Sequence, residues 1–181
     1  MFKEEKTTQI AAYLLHKANG KMPHLKLMKL MYLADRFMYE RCERPMTGDV
    51  AVSMEHGPVL SATYNLMKGE KKSEHWRNFI SPIINNELSL ELDIGPATLG
   101  KLSRGDREIL DDVYAQYGHK SVWEIRDATH EFPEWEDPRG SSKPIHISAI
   151  LRAVGKDPDV IENIVEDLND RDELERALAS L

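Results

Sequence analysis

Residues 24–42, HLKLMKLMYLADRFMYERC, decide what kind of fold this chain can adopt. At about 100° per residue, Lys26, Lys29, Arg36 and Glu40 fall within one sector of roughly 80°. Leu25, Leu27, Met28, Leu30, Met31, Leu33, Phe37 and Met38 fill nearly everything else. A helix with so narrow a polar stripe belongs at the centre of a helical core, wetted along one edge. Asp35 lies opposite the stripe. An unpaired buried carboxylate costs several kcal/mol or takes up a proton. Asp35 is therefore expected to accept hydrogen bonds from a loop or to pair with an arginine. Lys29, Asp35 and Arg36 also interrupt this apolar tract, well short of a membrane span.

Composition fits that picture. The chain has 181 residues, 41% hydrophobic and 30% charged, as a soluble globular domain would be. Folding at this length hides roughly 70% of the open chain's surface, so a core can form without staples. Cys42 is the single cysteine, which excludes an internal disulfide and a multi-thiolate zinc site and fits a reducing compartment. The histidines, at 16, 24, 56, 75, 119, 130 and 146, show no His-x-x-x-His or His-Glu-x-x-His spacing. No metal or other cofactor is expected. The opening MFKEEKTTQI is charged where a secretory signal is apolar, so the expected location is the cytoplasm. The net charge of −7 is concentrated at one end: residues 156–181 hold nine acids and three bases. Residues 1–48 carry nine bases and five acids, too mild an excess for a nucleic-acid footprint. An acidic end points to a basic protein partner.

Outward from the central helix, TTQIAAYLLHKAN predicts a first helix capped by Thr7 or Thr8 and stopped by Gly20. After it, RPMTGD is a turn and DVAVSM a short strand in which Val50, Val52 and Met54 alternate with Ala51 and Ser53. In HGPVLSATY, residues 56–64, Pro58 is placed at the first position of a helix running to about Lys68, with Gly69 as its end. FISPIINNELSLELD reads as a hairpin turning at Asn85-Asn86, its first strand shortened by Pro82. GPATLGKL is a loop. Ser103 with Asp106 opens a helix closed by Gly118, and Ser121 with Glu124 opens another ending near Thr129 and His130. EFPEWEDPRGSSKP is a long loop, and HISAILRAVG a short helix. The tail starts with Asp157 as cap and Pro158 in its first turn; Val160, Ile161, Ile164, Val165 and Leu168 share a face. Past Asn169 that face swings to Leu174, Leu178 and Leu181, and a second capping pattern at Asp170 and Glu173 predicts a break. The expected fold is mainly α: a single compact helical domain over residues 1–155 with a small antiparallel element of about three short strands, then an acidic helical extension over 156–181.

Two blocks of this order resemble the Panacea antitoxin domain, also called SocA-like or phage-associated GepA-like. The first is KLMKLMYLADRFMYERCERPMTGDVAVSMEHGPVLSATYNLMKG, carrying Lys26, Leu27, Lys29, Leu30, Tyr32, Pro45, Gly57, Pro58 and Val59. The second is REILDDVYAQYGHKSVWEIRDATHEFPEW, carrying Tyr117, Gly118, Trp123, Thr129, His130, Pro133 and Trp135. The resemblance covers about residues 8–153. It implies an antitoxin that neutralises a cognate protein toxin, encoded nearby, by direct binding and without covalent chemistry. One family member instead delivers its toxin to a bacterial AAA+ protease as an adaptor.

The motif residues Lys26, Lys29, Tyr32, Asp35, His56, Gly57, Pro58 and His130 read as structural. His56 is expected to be a turn histidine bonding a backbone group; a hydrolase or transferase pairing it with Asp35 is the rival, without a nucleophile nearby to support it. His130 is expected to close its helix, where an imidazolium would suit the dipole, and to tie down the loop that follows. All eight methionines lie in the first 67 residues; Met28, Met31 and Met38 have core spacing. The loop after His130 is long enough to suggest function. Trp135 would be an interface anchor if exposed and a pin if buried. With Glu136, Asp137 and Arg139 it forms the expected partner contact.

Overall fold

Leucine and methionine on nearly every face of residues 24–42 drive that segment inside. In a computed structural model, which describes residues 1–95 and 97–179, it forms α2 (His24–Cys42), with Leu27, Leu30, Met31, Leu33 and Met38 wholly enclosed. Four helices pack on it: α1 (Glu4–Lys17), α5 (Arg104–Tyr117), α6 (Val122–His130) and α7 (Ile147–Ala153). Short α3 (Ser61–Lys68) touches α2, α4 (Glu74–Phe79) lies on α1, and α8 (Pro158–Ala179) lies on α7. Two small antiparallel sheets complete the domain. One joins β1 (Lys21–Pro23) to β4 (Glu87–Ser89); the other runs β3 (Gly57–Leu60), β2 (Ala51–Met54), β5 (Lys143–Pro144). The mainly helical architecture with an acidic helical extension is as expected, with five short strands among the described residues in place of about three. No helix among the described residues is long and apolar enough to cross a membrane.

Local signals were reliable where they close on themselves. Ser103 and Asp106 form a complete capping box on α5, and Ser121 and Glu124 form one on α6. Asn85 and Asn86 turn with φ of 51° and 66°. Pro82 does reduce the strand before them to isolated bridges at Ile80 and Ile84, and β4 pairs with β1.

Elsewhere distant partners override the local reading. Lys29 leaves the predicted wet stripe and is wholly buried, because β3 and α6 cover that side of α2. Pro58 does not begin a helix. It sits in edge strand β3 opposite Ser53, where its missing N–H costs no ladder bond. The helix waits until Ser61, because Asp49 caps it from outside: its carboxylate accepts from Ala62 N at 2.9 Å and from Thr63 N at 2.8 Å. Thr7 and Thr8 are not caps. α1 starts earlier, and their hydroxyls bond back to the carbonyls of Lys3 and Glu4. In β2 the buried face is the small one, Ala51 and Ser53, whereas Val50 is 59% exposed. The predicted break near Asn169 is absent: α8 is one helix through Asp170 and Glu173. Leu181, expected on its apolar face, and Pro96, expected in a loop, lie outside the described residues.

Asp35 finds the loop partners that its burial demands. It accepts from Met46 N at 2.6 Å, from Thr47 N at 2.8 Å and from the Thr47 hydroxyl. Burial nevertheless outweighs these bonds and lifts its carboxyl to about 6. Asp35→Ala should lower unfolding free energy by roughly 3 kcal/mol, since two buried amides lose their acceptor. Urea denaturation checks this; a loss under about 1 kcal/mol would mean that water replaces the carboxylate.

Candidate partner-binding site

Four polar residues of α2 make internal ties to three separate parts of the chain. Lys26 Nζ donates to the Gly118 carbonyl, between α5 and α6, at 2.7 Å. Lys29 Nζ donates to the Pro58 carbonyl in β3, also at 2.7 Å. Tyr32 Oη and Arg36 Nε both donate to Glu134 Oε1 in the loop after α6, at 2.8 and 2.7 Å. The Arg36 guanidinium also lies 4.2 Å from the centre of the Phe132 ring.

Gly57 explains how the hairpin comes this close. Its φ is +89°, and a Cβ there would stand 2.8 Å from Thr129 Oγ1, 2.9 Å from Lys29 Nζ and 3.0 Å from His130 Cδ2. Lys29 has no carboxylate partner in this crowd, and burial pulls its ammonium down to about 7. Burial, followed by the nearby Lys29 charge, also holds the His130 imidazole below its usual range. A dipole-favouring imidazolium is therefore not what closes α6. His130 works by stacking on Trp135, with centroids 4.1 Å apart and planes 6° from parallel.

Trp135 is half-buried and donates from Nε1 to the Met54 carbonyl at 3.2 Å, so it pins the loop to the β2–β3 hairpin. Glu136, Asp137 and Arg139 are exposed on that loop, whose far end β5 ties to β2. His56 stands exposed at the hairpin tip, and among the described residues its ring bonds no backbone group, contrary to expectation. It lines a cleft of about 580 Å³. Asp35 lines a different one, of about 450 Å³, alongside α7 residues. The structure does not bring the two together. Among the described residues no group of three or more metal-capable side chains converges.

The cleft at His56 is mostly apolar, with Pro23, Leu25, Met54, Val59, Val122 and Trp123 in its walls. Trp123 is 58% exposed, and the Arg126 guanidinium lies 4.8 Å from its ring centre. The sequence held a signal for this residue. From Trp123, Ile125 is turned by about 200° and Thr129 by about 240°, so an inward face at those two sends the indole outward. Both are in fact buried.

A family model described as antitoxin SocA-like, Panacea domain, matches residues 27–136, and the chain belongs to that family. The match runs from α2 through the Trp135 loop and leaves α1, α7 and α8 outside. No curated protein and no solved structure matches the chain.

Two outcomes follow from the buried cluster. The unfolded chain holds the Lys29 proton up to about 10.5, the folded chain only to about 7. Between those values the unfolded state binds more protons, so Lys29 makes stability rise with pH. From pH 7.5 to 9.5 the wild type should gain roughly 2 kcal/mol relative to Lys29→Met in parallel denaturation series. Equal slopes would show that Lys29 does not titrate there. Gly57→Ala should cost roughly 2–3 kcal/mol from left-handed strain and overpacking, read as a lowered urea midpoint.

Proposed function

We propose that this protein neutralises a protein toxin in the cytoplasm by binding it directly, with Trp123 and its apolar cleft as the centre of the contact. The observation that carries this reading is a division of labour. The polar side chains of the central helix are consumed by internal bonds, whereas a large aromatic ring, 58% exposed, stands beside an apolar cleft. Exposed tryptophan with an arginine on its face is the composition of an interface hot spot. Such a residue contributes by excluding water from a partner's pocket, and needs no acid, base or nucleophile beside it. Glu136, Asp137 and Arg139, on the loop that Trp135 locks to the hairpin, supply a polar rim. Rim charges set orientation and encounter rate more than final affinity.

Co-expression with the adjacent gene tests the reading. That gene should arrest growth alone, the pair should grow, and the two proteins should co-purify. Trp123→Ala should weaken the complex about 30-fold, equivalent to about 2 kcal/mol, while the melting temperature holds. His56→Ala should still protect. Protection without a complex, or protection lost with His56 alone, would shift the case to enzymatic detoxification.

A further inference from the structure

Along α8, Glu162, Glu166, Asp170, Leu174 and Leu178 recur every four residues. Such a series forms a ridge about 24 Å long at 1.5 Å per residue that turns about 40° per step, so Glu162 points about 160° away from Leu178, with Glu166, Asp170 and Leu174 between them. This ridge is not what holds the helix to the body. Ile161 and Ile164 enter the core, and Val165 and Leu168 pack against it. Farther along, the Met1 ammonium bridges Asp172 and Glu175. At about 100° per residue these attachments share one side, and the two leucines point roughly 110° away from it. Leu174 and Leu178 each stay 61% exposed. Asp167 pairs with Arg171, and Asp172 with the Met1 ammonium. Among the described residues Glu162, Glu166 and Asp170 form no ion pair.

We infer that the middle of this ridge docks a basic helix of the toxin crossing α8, its lysines or arginines against Glu166 and Asp170 and its apolar side chains over Leu174 and Leu178. Charge complementarity selects that occupant. Residues 156–181 hold nine acids against three bases, in a chain whose net charge is −7. A second copy brings the same carboxylates and a net charge of −7 and nothing basic for them on the ridge, whereas a basic helix gains attraction there. A groove of about 690 Å³ runs beside the ridge, with Glu162, Glu166 and Asp170 on α8 and with Arg152 and Lys156 beyond. Lys156 is already held by Glu43 at 2.7 Å, so it does not neutralise the acidic wall.

The inference rests on the antitoxin reading, and one titration series separates their failures. The full chain, Leu174→Asp/Leu178→Asp, and Glu162→Gln/Glu166→Gln/Asp170→Gln are each titrated into an inactivated form of the adjacent gene's product, at 50 and 300 mM salt. The leucine variant should bind at least tenfold more weakly at both salt concentrations. The glutamine variant should lose affinity at low salt and show a flatter salt dependence. Thermal unfolding should match the parent for both, since the altered side chains are mostly exposed. If the parent binds and both variants bind equally well, the ridge is not used and the antitoxin reading stands. If the parent does not bind, both readings fall. Concentration-dependent dimerisation of the parent, abolished in the leucine variant, would assign the ridge to a second copy and overturn the inference. So would unchanged toxin binding with loss of binding to a AAA+ protease.

Discussion

Burying a lysine that has no carboxylate to meet it is the constraint around which this fold is arranged. Lys29 sits on a helix that is apolar on almost every side, and its ammonium must find an acceptor within the core or give up its proton. The acceptor is a main-chain carbonyl, that of Pro58. To place that oxygen, the β2–β3 hairpin has to lie on α2, and only a glycine at position 57 lets it lie close enough. The same crowding fixes Thr129 and His130 at the end of α6. The His130 ring carries Trp135, and Trp135 returns a hydrogen bond to the hairpin at Met54. Hairpin, helix end and loop thus hold one another through a single buried amine.

The neighbouring ties follow the same logic. Lys26 reaches the carbonyl of Gly118, and Asp35 collects the amides of Met46 and Thr47. Tyr32 and Arg36 converge on Glu134, the one side-chain acceptor in the set. Each tie satisfies a group whose burial would otherwise be costly, and each fixes a connection that α2 could not hold by apolar contact alone. A helix of leucine and methionine gives a strong but poorly directed attraction. The polar residues spaced along it supply the direction.

How much of this could be read from the sequence depended on how far each partner lay along the chain. Capping boxes at Ser103 and Ser121 close within four residues, so their elements were legible. Asp35 was legible in kind, since its place on the apolar side demanded an acceptor role, though not in the identity of Thr47. Lys29 was misread because amphipathic spacing assigns a lone lysine to the wet edge; only the packing of β3 and α6 puts that edge indoors. The start of α3 was misread for a related reason: Asp49, thirteen residues before Ala62 N in the chain, does the capping that Pro58 was expected to make unnecessary. In the candidate site Trp135 was named as either anchor or pin, and the structure makes it a pin. In the sequence Trp123 stands out only as part of the second family block, although its position opposite Ile125 and Thr129 marks it as outward.

The choice of acceptors also bears on how freely the surface above them can vary. Two of the ties from α2 end on main-chain carbonyls, and Asp35 takes two main-chain amides. These groups are present whatever side chain the position carries. Residues at the hairpin tip and on the outer face of α6 can therefore change without breaking the bonds that set their backbone. Glu55, His56 and Trp123 are exposed and sit on segments held from beneath. A stiff backbone with a freely chosen surface is what a binding module needs, because a preformed contact loses less conformational entropy on association. Here Lys29 is held by the Pro58 carbonyl and Asp35 by the amides of Met46 and Thr47, and the cleft beside His56 is walled mostly by apolar side chains.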